Sequence, residues 1–216
     1  MKFAIILSGC GVYDGSEIHE ATMTMLAIVK KGGTYEIFAP DVRQHHVINH
    51  LTGEVMDEKR NVLIESARIA RGKITTLDAY NPSDFDALVL PGGFGVAKNL
   101  CTYAFDGIDC SVDRGVEKVL RDTHKAGKPI GALCISPVLI ARVLGKVDLT
   151  IGDDETTARH IEEMGAVHIR TGNREVVVDT VNRIVSNPCY MIDATIEDIA
   201  KGAENVISAI LDLNRD

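Results

Sequence analysis

The sequence lacks a cluster of basic residues, a C-x-x-C pair and any long apolar run. Its lysines and arginines are scattered and its net charge is −8, so no surface is expected to neutralise phosphates and nucleic acid is excluded as a partner. The apolar run near the start, Phe3–Leu7, is too short to span a membrane, and no membrane association is expected. Five cysteines without regular spacing predict reduced thiols and a cytoplasmic protein.

The sequence does contain enough apolar material for a sizeable core, with 45% hydrophobic and 25% charged residues. For a chain of 216 residues this composition predicts one globular domain over residues 1–216. Short apolar runs alternate with segments of helical period. Such alternation is typical of an α/β protein, a three-layer sandwich in which helices cover both faces of a mostly parallel sheet.

Strands are predicted at Phe3–Leu7, Tyr35–Ala39, Ile74–Leu77, Ala87–Leu90, Pro129–Leu133 and Asp148–Ile151. Helices are predicted at Glu17–Lys31, Asn61–Ala70, Val112–Ala126, Ile135–Val143, Thr156–Met164 and Ile196–Leu213. Ser16 is the expected cap of the first helix. Two regions break the alternation: residues 40–60 form an insertion, and residues 176–186 are predicted to form a hairpin.

Cys134 is the candidate nucleophile because it ends the predicted strand Pro129–Leu133. In open parallel sheets the ligand crevice lies beyond the carboxyl ends of the strands. Small residues two positions away on either side, Ala132 and Ser136, fit the tight turn of a nucleophile elbow. A helix beginning at Ile135 would direct its positive end at the sulfur and lower the thiol pKa. The alternative is a buried cysteine with a structural role.

Glycines after the strand Ala87–Leu90 are expected at the same edge of the sheet. Gly92 and Gly93 would let backbone amides face the crevice, and the amides of Gly93 and Ile135 are the candidates for an oxyanion hole. An ordinary turn would use the same glycines.

Acidic residues begin the first helix, after the glycine-containing loop at residues 8–16. Glu17 and Glu20 lie three residues apart on one face, where each either acts as an acid/base or merely offsets the helix dipole. Next to a cysteine elbow, a buried glutamate is a plausible acid/base. His19, between them, is a secondary candidate for moving a proton.

Two cofactor hypotheses are weaker. The glycines of residues 9–15 suggest a dinucleotide fingerprint, but the third glycine is one position too late and the glutamates would face the pyrophosphate. His45, His46 and His50 suggest a metal, yet no strong carboxylate or cysteine partner accompanies them. A polar insertion at the crevice rim is favoured, so neither a metal nor another cofactor is expected.

Several strings resemble the ElbB-type branch of the superfamily that joins class I glutamine amidotransferase domains to PfpI-type proteins. They are Ser8-Gly-Cys-Gly-Val-Tyr-Asp-Gly-Ser-Glu-Ile-His-Glu20, Asn49-His-Leu-Thr-Gly-Glu54, Arg60-Asn-Val-Leu-Ile-Glu65, Pro91-Gly-Gly-Phe-Gly95 and Ala97-Lys-Asn-Leu100. The resemblance covers essentially the whole chain. It implies a flavodoxin-like, class I glutamine amidotransferase-like fold, and a homodimer, since relatives in that superfamily commonly dimerise.

The resemblance also implies roles for the candidate residues. It makes Cys134 the nucleophile, Glu20 the carboxylate that contacts it, and Gly93 with Ile135 the oxyanion amides. ElbB-type proteins are described as weak glyoxalases and as isoprenoid-biosynthesis proteins with an amidotransferase-like domain. Glutaminase activity is disfavoured because Cys134 lacks the flanking glycines and the glutamine of a glutaminase elbow. Peptidase activity is disfavoured because no histidine directly follows Cys134. The one His-x-Glu string, His160-Ile-Glu162, lies inside a predicted helix.

These residues predict a cofactor-independent glyoxalase that converts small dicarbonyls such as glyoxal or methylglyoxal into 2-hydroxy acids through Cys134 and Glu20. The alternative is a redox sensor or interaction protein in which Cys134 is oxidised. A subunit that needs a partner for activity is the third hypothesis. Cys189 and residues 102–109 are further segments that could approach the site.

Overall fold

The structure is a computed structural model that describes residues 1–215. Its strands β1 to β9 are Lys2–Ile6, Thr34–Ala39, Thr75–Thr76, Ala87–Leu90, Ile130–Leu133, Asp148–Leu149, Val167–His168, Val177–Asp179 and Ile184–Asn187. Seven of them form a central sheet in the order β3-β2-β1-β4-β5-β9-β8. All neighbours in it are parallel except β8 and β9, which form the predicted antiparallel hairpin.

The helices α1 to α7 are Ile18–Lys30, Val62–Ile69, Tyr103–Asp106, Arg114–Lys125, Pro137–Leu144, Glu155–Glu163 and Ile196–Leu213. Alternate residues of β1 face opposite sides: Phe3 and Ile5 pack with the core under α1 and α7, whereas Ala4 and Ile6 pack with the core under α4 and α5. This three-layer α/β sandwich confirms the predicted fold. Within residues 1–215, no helix has the length and apolar character to cross a membrane.

Three predicted elements differ from the structure. The strand expected at Ile74–Leu77 is only two residues long, because a 3₁₀ turn begins at Leu77. The strand expected at Asp148–Ile151 leaves the central sheet and pairs instead with β7. The helix expected from Ile135 begins at Pro137, a residue suited to the first helical position because it lacks an amide hydrogen.

The cap of α1 is Glu17 rather than the predicted Ser16. The Glu17 carboxylate accepts a hydrogen bond from the Glu20 amide at 2.7 Å. The Ser16 hydroxyl is used elsewhere, since it accepts a hydrogen bond from the Ser8 amide at 2.8 Å. This contact ties the loop between β1 and α1 to the carboxyl edge of the sheet.

Candidate functional site

Cys134 comes directly after β5 and occupies a tight turn. Its φ of +58° lies in the left-handed region that residues with side chains rarely adopt, so the turn is strained. Two hydrogen bonds hold it: the Cys134 amide donates to the Asn187 carbonyl at 3.0 Å, and the Ser136 hydroxyl donates to the Pro91 carbonyl at 2.9 Å. The structure therefore places Cys134 on an elbow of the kind that the sequence predicts.

Glu20 lies next to Cys134, in the first turn of α1, and is fully buried. Its Oε2 accepts a hydrogen bond from the Gly92 amide at 2.8 Å, and its Oε1 accepts one from the Tyr190 amide at 3.4 Å. Its Oε2 and the Cys134 sulfur lie side by side against Gly92, and each group influences the pKa of the other. The structure thus brings together the cysteine and the carboxylate that the sequence paired.

Burial controls the charge of Glu20. Loss of hydration, reinforced by the nearby Glu17 carboxylate, raises the pKa of Glu20 to about 7. The hydrogen bonds from the Gly92 and Tyr190 amides and the neighbouring Cys134 thiol act in the opposite direction without outweighing burial. A carboxyl with this pKa is suited to accept and return a proton near neutral pH.

Burial also raises the pKa of the Cys134 thiol well above its ordinary value, and the charge of Glu20 raises it further. The prediction of a lowered thiol pKa is wrong, because burial and the adjacent carboxylate outweigh the amides that face the sulfur. The resting pair is therefore a neutral thiol beside a carboxyl that is half ionised near pH 7. A thiolate forms here when the proton passes to Glu20.

The backbone amides of Gly93 and Ile135 face the Cys134 sulfur and act to lower its pKa. The φ of Gly93 is +100°, and a side chain at this position would collide with the backbone amide of Glu17 and the carbonyl of Gly15. Only glycine therefore lets the loop after β4 approach the loop before α1 so closely. These are the two amides that the sequence predicted to form an oxyanion hole.

A cavity of about 370 Å³ opens over Cys134. Its walls are largely apolar and aromatic, and its lining residues are Val12, Glu17, Gly93, Phe94, Ala97, Tyr103, Ala104, Cys134, Ile135, Asp154, Thr157, Tyr190 and Met191. Two carboxyl side chains line it, and within residues 1–215 neither a basic side chain nor a histidine does. The cavity is a concave site with a buried nucleophile at its wall.

The secondary candidates have different positions. Glu17 lines the cavity but its carboxylate caps α1, which is the helix-end role weighed for it from sequence. His19 is half exposed, and its Nδ1 lies 2.9 Å from the Tyr190 hydroxyl and 4.0 Å from Glu17 Oε1. Gly92 lies against both Cys134 and Glu20. Glu20 is therefore the acidic residue in contact with the sulfur, and Glu17 and His19 lie around it.

The three histidines of the insertion at residues 40–60 do not form a metal site. This segment is irregular rather than helical, and no group of three or more potential ligands is found in the part of the chain that the structure describes. His50 accepts a hydrogen bond from the Tyr13 amide, and the ring of His45 packs on Phe105, 4.2 Å between centroids. None of His45, His46 and His50 lines the cavity. The insertion braces the loop between β1 and α1.

Two aromatic residues of the cavity were missed. Tyr103 comes from α3, and its hydroxyl lies 2.8 Å from Nδ1 of His160. Tyr190 follows β9, the strand beside β5, and its amide contacts Glu20. The position of Tyr190 just beyond a strand end was the available signal, and Tyr103 belongs to residues 102–109, the segment named from sequence as one that could approach the site.

Gly92→Ala is expected to destabilise the protein by about 2–3 kcal/mol, because the new methyl group would overpack the site. The added Cβ would lie 2.7 Å from Glu20 Oε2 and 2.9 Å from the Cys134 sulfur, with the Cys134 Cβ closer still. Gly172→Ala is the matched control, since its added Cβ would meet only Glu175 at ordinary contact distance. Urea unfolding of both variants measures the difference. Equal stabilities would contradict the close packing at Gly92.

Together, the sandwich, the strained cysteine elbow and the buried glutamate define a class of α/β proteins with a cysteine at the carboxyl edge of a parallel sheet. Residues 12–187 match the DJ-1/PfpI family model. The match covers most of the chain, and this protein therefore belongs to the DJ-1/PfpI family.

Relatives resemble the chain along nearly its full length. The rat "ES1 protein homolog, mitochondrial" is 46% identical over 98% of this chain and 84% of its own length. The human "Glutamine amidotransferase-like class 1 domain-containing protein 3, mitochondrial" is 46% identical over 98% and 83%, respectively. A solved structure from Ehrlichia chaffeensis, named isoprenoid biosynthesis protein with amidotransferase-like domain, superposes with a TM-score of 0.91 at 38% identity, covering 98% of this chain and 99% of that one.

A more distant solved structure shares the fold alone. Glyoxalase III from Candida albicans superposes with a TM-score of 0.61, over 97% of each chain, at 17% identity.

The names of the relatives contradict the predicted cytoplasmic location, because the rat, human and zebrafish proteins are all named mitochondrial. The prediction rested on reduced cysteines. All five cysteines are indeed free in the structure. Free thiols indicate a reducing environment rather than a particular compartment, and the inference from thiols to the cytoplasm was therefore wrong.

Proposed function

We propose that this protein is a cofactor-independent glyoxalase that uses Cys134 as nucleophile and Glu20 as acid/base. The observation that carries the proposal is the adjacent pair of Cys134 and buried Glu20 at the wall of a cavity, flanked by the amides of Gly93 and Ile135. Proton transfer, covalent attack and oxyanion stabilisation each have a residue in place.

The first step is attack on an aldehyde. As the Cys134 sulfur bonds to the aldehyde carbon, its proton passes to Glu20, whose pKa of about 7 suits it to receive a proton. The carbonyl oxygen takes the negative charge, and the amides of Gly93 and Ile135 are placed to stabilise it. Protonation of that oxygen by Glu20 gives a hemithioacetal and leaves Glu20 ionised.

The second step moves a hydrogen between the two carbons of the dicarbonyl. The ionised Glu20 removes the proton from the carbon bonded to sulfur, and the electrons form an enediol with the neighbouring carbonyl. Return of a proton to that neighbouring carbon gives a 2-hydroxy thioester. Water then cleaves the thioester, releasing the 2-hydroxy acid and the Cys134 thiol. The net reaction adds one water to the dicarbonyl and requires neither an oxidant nor a reductant.

The walls of the cavity favour a neutral substrate with an apolar group. Glu17 and Asp154 line it, and hydrogen bonds from Thr157 lower the pKa of Asp154, so that carboxyl is ionised at neutral pH. Anionic dicarbonyls and the glutathione adduct would therefore be repelled. Phe94 and Tyr103 offer aromatic surface, and the volume exceeds what glyoxal needs. An aryl or alkyl 2-oxoaldehyde fits these walls best.

The other hypotheses have less support. Oxidation of Cys134 by peroxide depends on the fraction of resting thiolate, and the raised pKa of this thiol keeps that fraction low. A glutaminase or peptidase needs a histidine to activate the cysteine, and none of the lining residues within positions 1–215 is a histidine.

We also propose that the chain belongs to the ElbB-type branch. The support is its 38% identity to the Ehrlichia chaffeensis protein, whose name joins isoprenoid biosynthesis with an amidotransferase-like domain, and the motif strings quoted above. The single domain, the homodimer and the dicarbonyl substrate stay predictions.

The proposal is tested by incubating the protein with glyoxal, methylglyoxal and phenylglyoxal, without glutathione or added metal, and measuring glycolate, lactate and mandelate. Phenylglyoxal is expected to give the highest kcat/KM. A phenylglyoxal with a carboxylate on the ring is expected to give a lower kcat/KM, because Glu17 and Asp154 would repel its charge. In D₂O the product is expected to carry deuterium at its C2 carbon, because the enediol takes that proton from a group that exchanges with solvent. Absence of 2-hydroxy acid above the buffer rate for all three substrates would overturn the proposal.

A further inference from the structure

A pair of cysteines lies at the base of an exposed loop that forms one wall of the cavity. Cys101 and Cys110 flank residues 102–109, and a backbone bridge between Cys101 and Val112 closes the loop. The two cysteines are 4% and 0% exposed, while half of the residues between them, including Ala104, are exposed. An opening of the loop would therefore admit a small oxidant to the pair.

The two thiols are in contact. The thiols of Cys101 and Cys110 are near enough to shift each other's pKa, and the Cys101 thiol donates to the Val96 carbonyl at 3.3 Å. Cys110 lies two residues before the backbone partner of Cys101, on the adjacent antiparallel segment, so the side chains meet diagonally across the bridge. Diagonal neighbours lie near the upper limit of the Cα separation that a disulfide spans, so joining them requires a local shift of the backbone at the base of the loop.

The surroundings activate Cys110. The neighbouring Cys101 thiol lowers the pKa of Cys110 to about 7, and the guanidinium of Arg142 contributes in the same direction. Arg142 is held in place because its Nε donates to the Cys110 carbonyl at 2.7 Å. The other four cysteines, all within residues 1–215, have raised pKa values. Reactivity of a cysteine toward peroxide follows its thiolate fraction.

We propose that Cys101 and Cys110 form a redox-active dithiol that peroxide converts to a disulfide. The Cys110 thiolate attacks one peroxide oxygen, giving a sulfenic acid and, with a proton, one water. The Cys101 thiol then attacks the sulfenic sulfur, forming the S–S bond and releasing the second water. The two thiols lose two electrons and two protons, and the peroxide is reduced to two waters.

The dithiol has a structural link to the candidate site. Tyr103 and Ala104 belong to the loop between the cysteines and also line the cavity over Cys134. A disulfide would fix the base of the loop that carries them. Neither cysteine lines the cavity, so the inference stands independently of the glyoxalase proposal.

The experiment treats the reduced wild-type protein with equimolar hydrogen peroxide, blocks remaining thiols with an alkylating agent in denaturant, and maps the cysteines by mass spectrometry without reduction. We expect a peptide pair joined through Cys101 and Cys110, lighter by two hydrogens, to form ahead of any modification of Cys134, Cys10 or Cys189. Recovery of both Cys101 and Cys110 fully alkylated, while oxygen appears on Cys134, would overturn the inference.

Two variants extend the test. Cys110→Ser is expected to abolish the cross-link and to slow peroxide consumption at least tenfold, whereas Cys10→Ser is expected to change neither. Cys10 is the matched control because it is a free thiol whose pKa is raised by burial and by Glu65. The mapping of the wild-type protein tests the inference without any variant, so the test remains valid even if Cys110→Ser does not fold. A Cys110→Ser protein that consumes peroxide at the wild-type rate would contradict it.

Discussion

Replacing Cys134 with Ser is expected to lower the rate of 2-hydroxy acid formation about a thousandfold or more. A serine hydroxyl is a far weaker acid than a thiol, so Glu20, with a pKa of about 7, cannot ionise it during attack. Binding of the dicarbonyl is expected to survive, because the cavity walls are unchanged. Single-turnover measurements with phenylglyoxal would therefore show a lost chemical step with retained binding.

Cys189→Ser is the matched control for this experiment. Cys189 is fully buried beside the elbow, and its thiol donates to Asn187 Oδ1 at 3.1 Å, a contact that a serine hydroxyl can replace. Its replacement is expected to leave the rate within about threefold of wild type. If Cys134→Ser kept the wild-type rate, Cys134 would not be the nucleophile. If both variants lost activity equally, the loss would reflect disturbance of the elbow rather than removal of the nucleophile.

The fold could be predicted because its signals are local. The closing helix was predicted at its observed bounds, Ile196–Leu213, because its apolar residues repeat with helical period, and in the structure Thr195 and Asp198 cap it reciprocally. Cys134 could be placed at the sheet edge for the same reason, because a buried strand precedes it directly. The prediction of a central strand at Asp148–Ile151 was wrong. Its residues Asp148–Leu149 pair with β7 in a second, small sheet, and this pairing depends on contacts that no local sequence pattern shows.

The electrostatics of the site could not be predicted in the same way. Glu17 and Glu20 look equivalent by residue type and helix position, and only the family resemblance singled out Glu20; in the structure Glu17 caps α1 and Glu20 is wholly buried against the sulfur. The pKa of the Cys134 thiol is raised by burial of the thiol and by the charge of Glu20, and the helix after the elbow does not outweigh these effects. Tyr103 lies far from the other site residues in sequence, and only the folded chain brings its loop to the cavity.

Glu20→Gln is expected to flatten part of the dependence of stability on pH. A carboxyl whose pKa is higher in the folded than in the unfolded state holds more protons when folded, so the free energy of unfolding decreases as pH rises between the two values. For Glu20 these are its ordinary value of 4.5 and about 7, which corresponds to about 3 kcal/mol. Wild type should therefore lose about 3 kcal/mol relative to the variant between pH 4 and pH 8.

The difference between the two unfolding curves isolates Glu20 from every other titrating group. It also removes any constant cost of placing an amide next to the Tyr190 amide, because that cost does not vary with pH. Glu163→Gln makes the same chemical change at an exposed position of α6 and should give a curve parallel to that of wild type. Parallel curves for Glu20→Gln as well would mean that the carboxyl is not buried as the structure places it.

The same variant tests the proposed chemistry through a separate measurement. Loss of the general base is expected to lower kcat by about a hundredfold or more. The wild-type kcat/KM should rise with pH through about 7 as Glu20 ionises, and this rise should be absent from the residual activity of Glu20→Gln. A flattened stability curve with full turnover would show that the Glu20 carboxyl is buried in the wild-type protein but has no part in the reaction. A variant that loses both confirms that one buried proton links stability to activity.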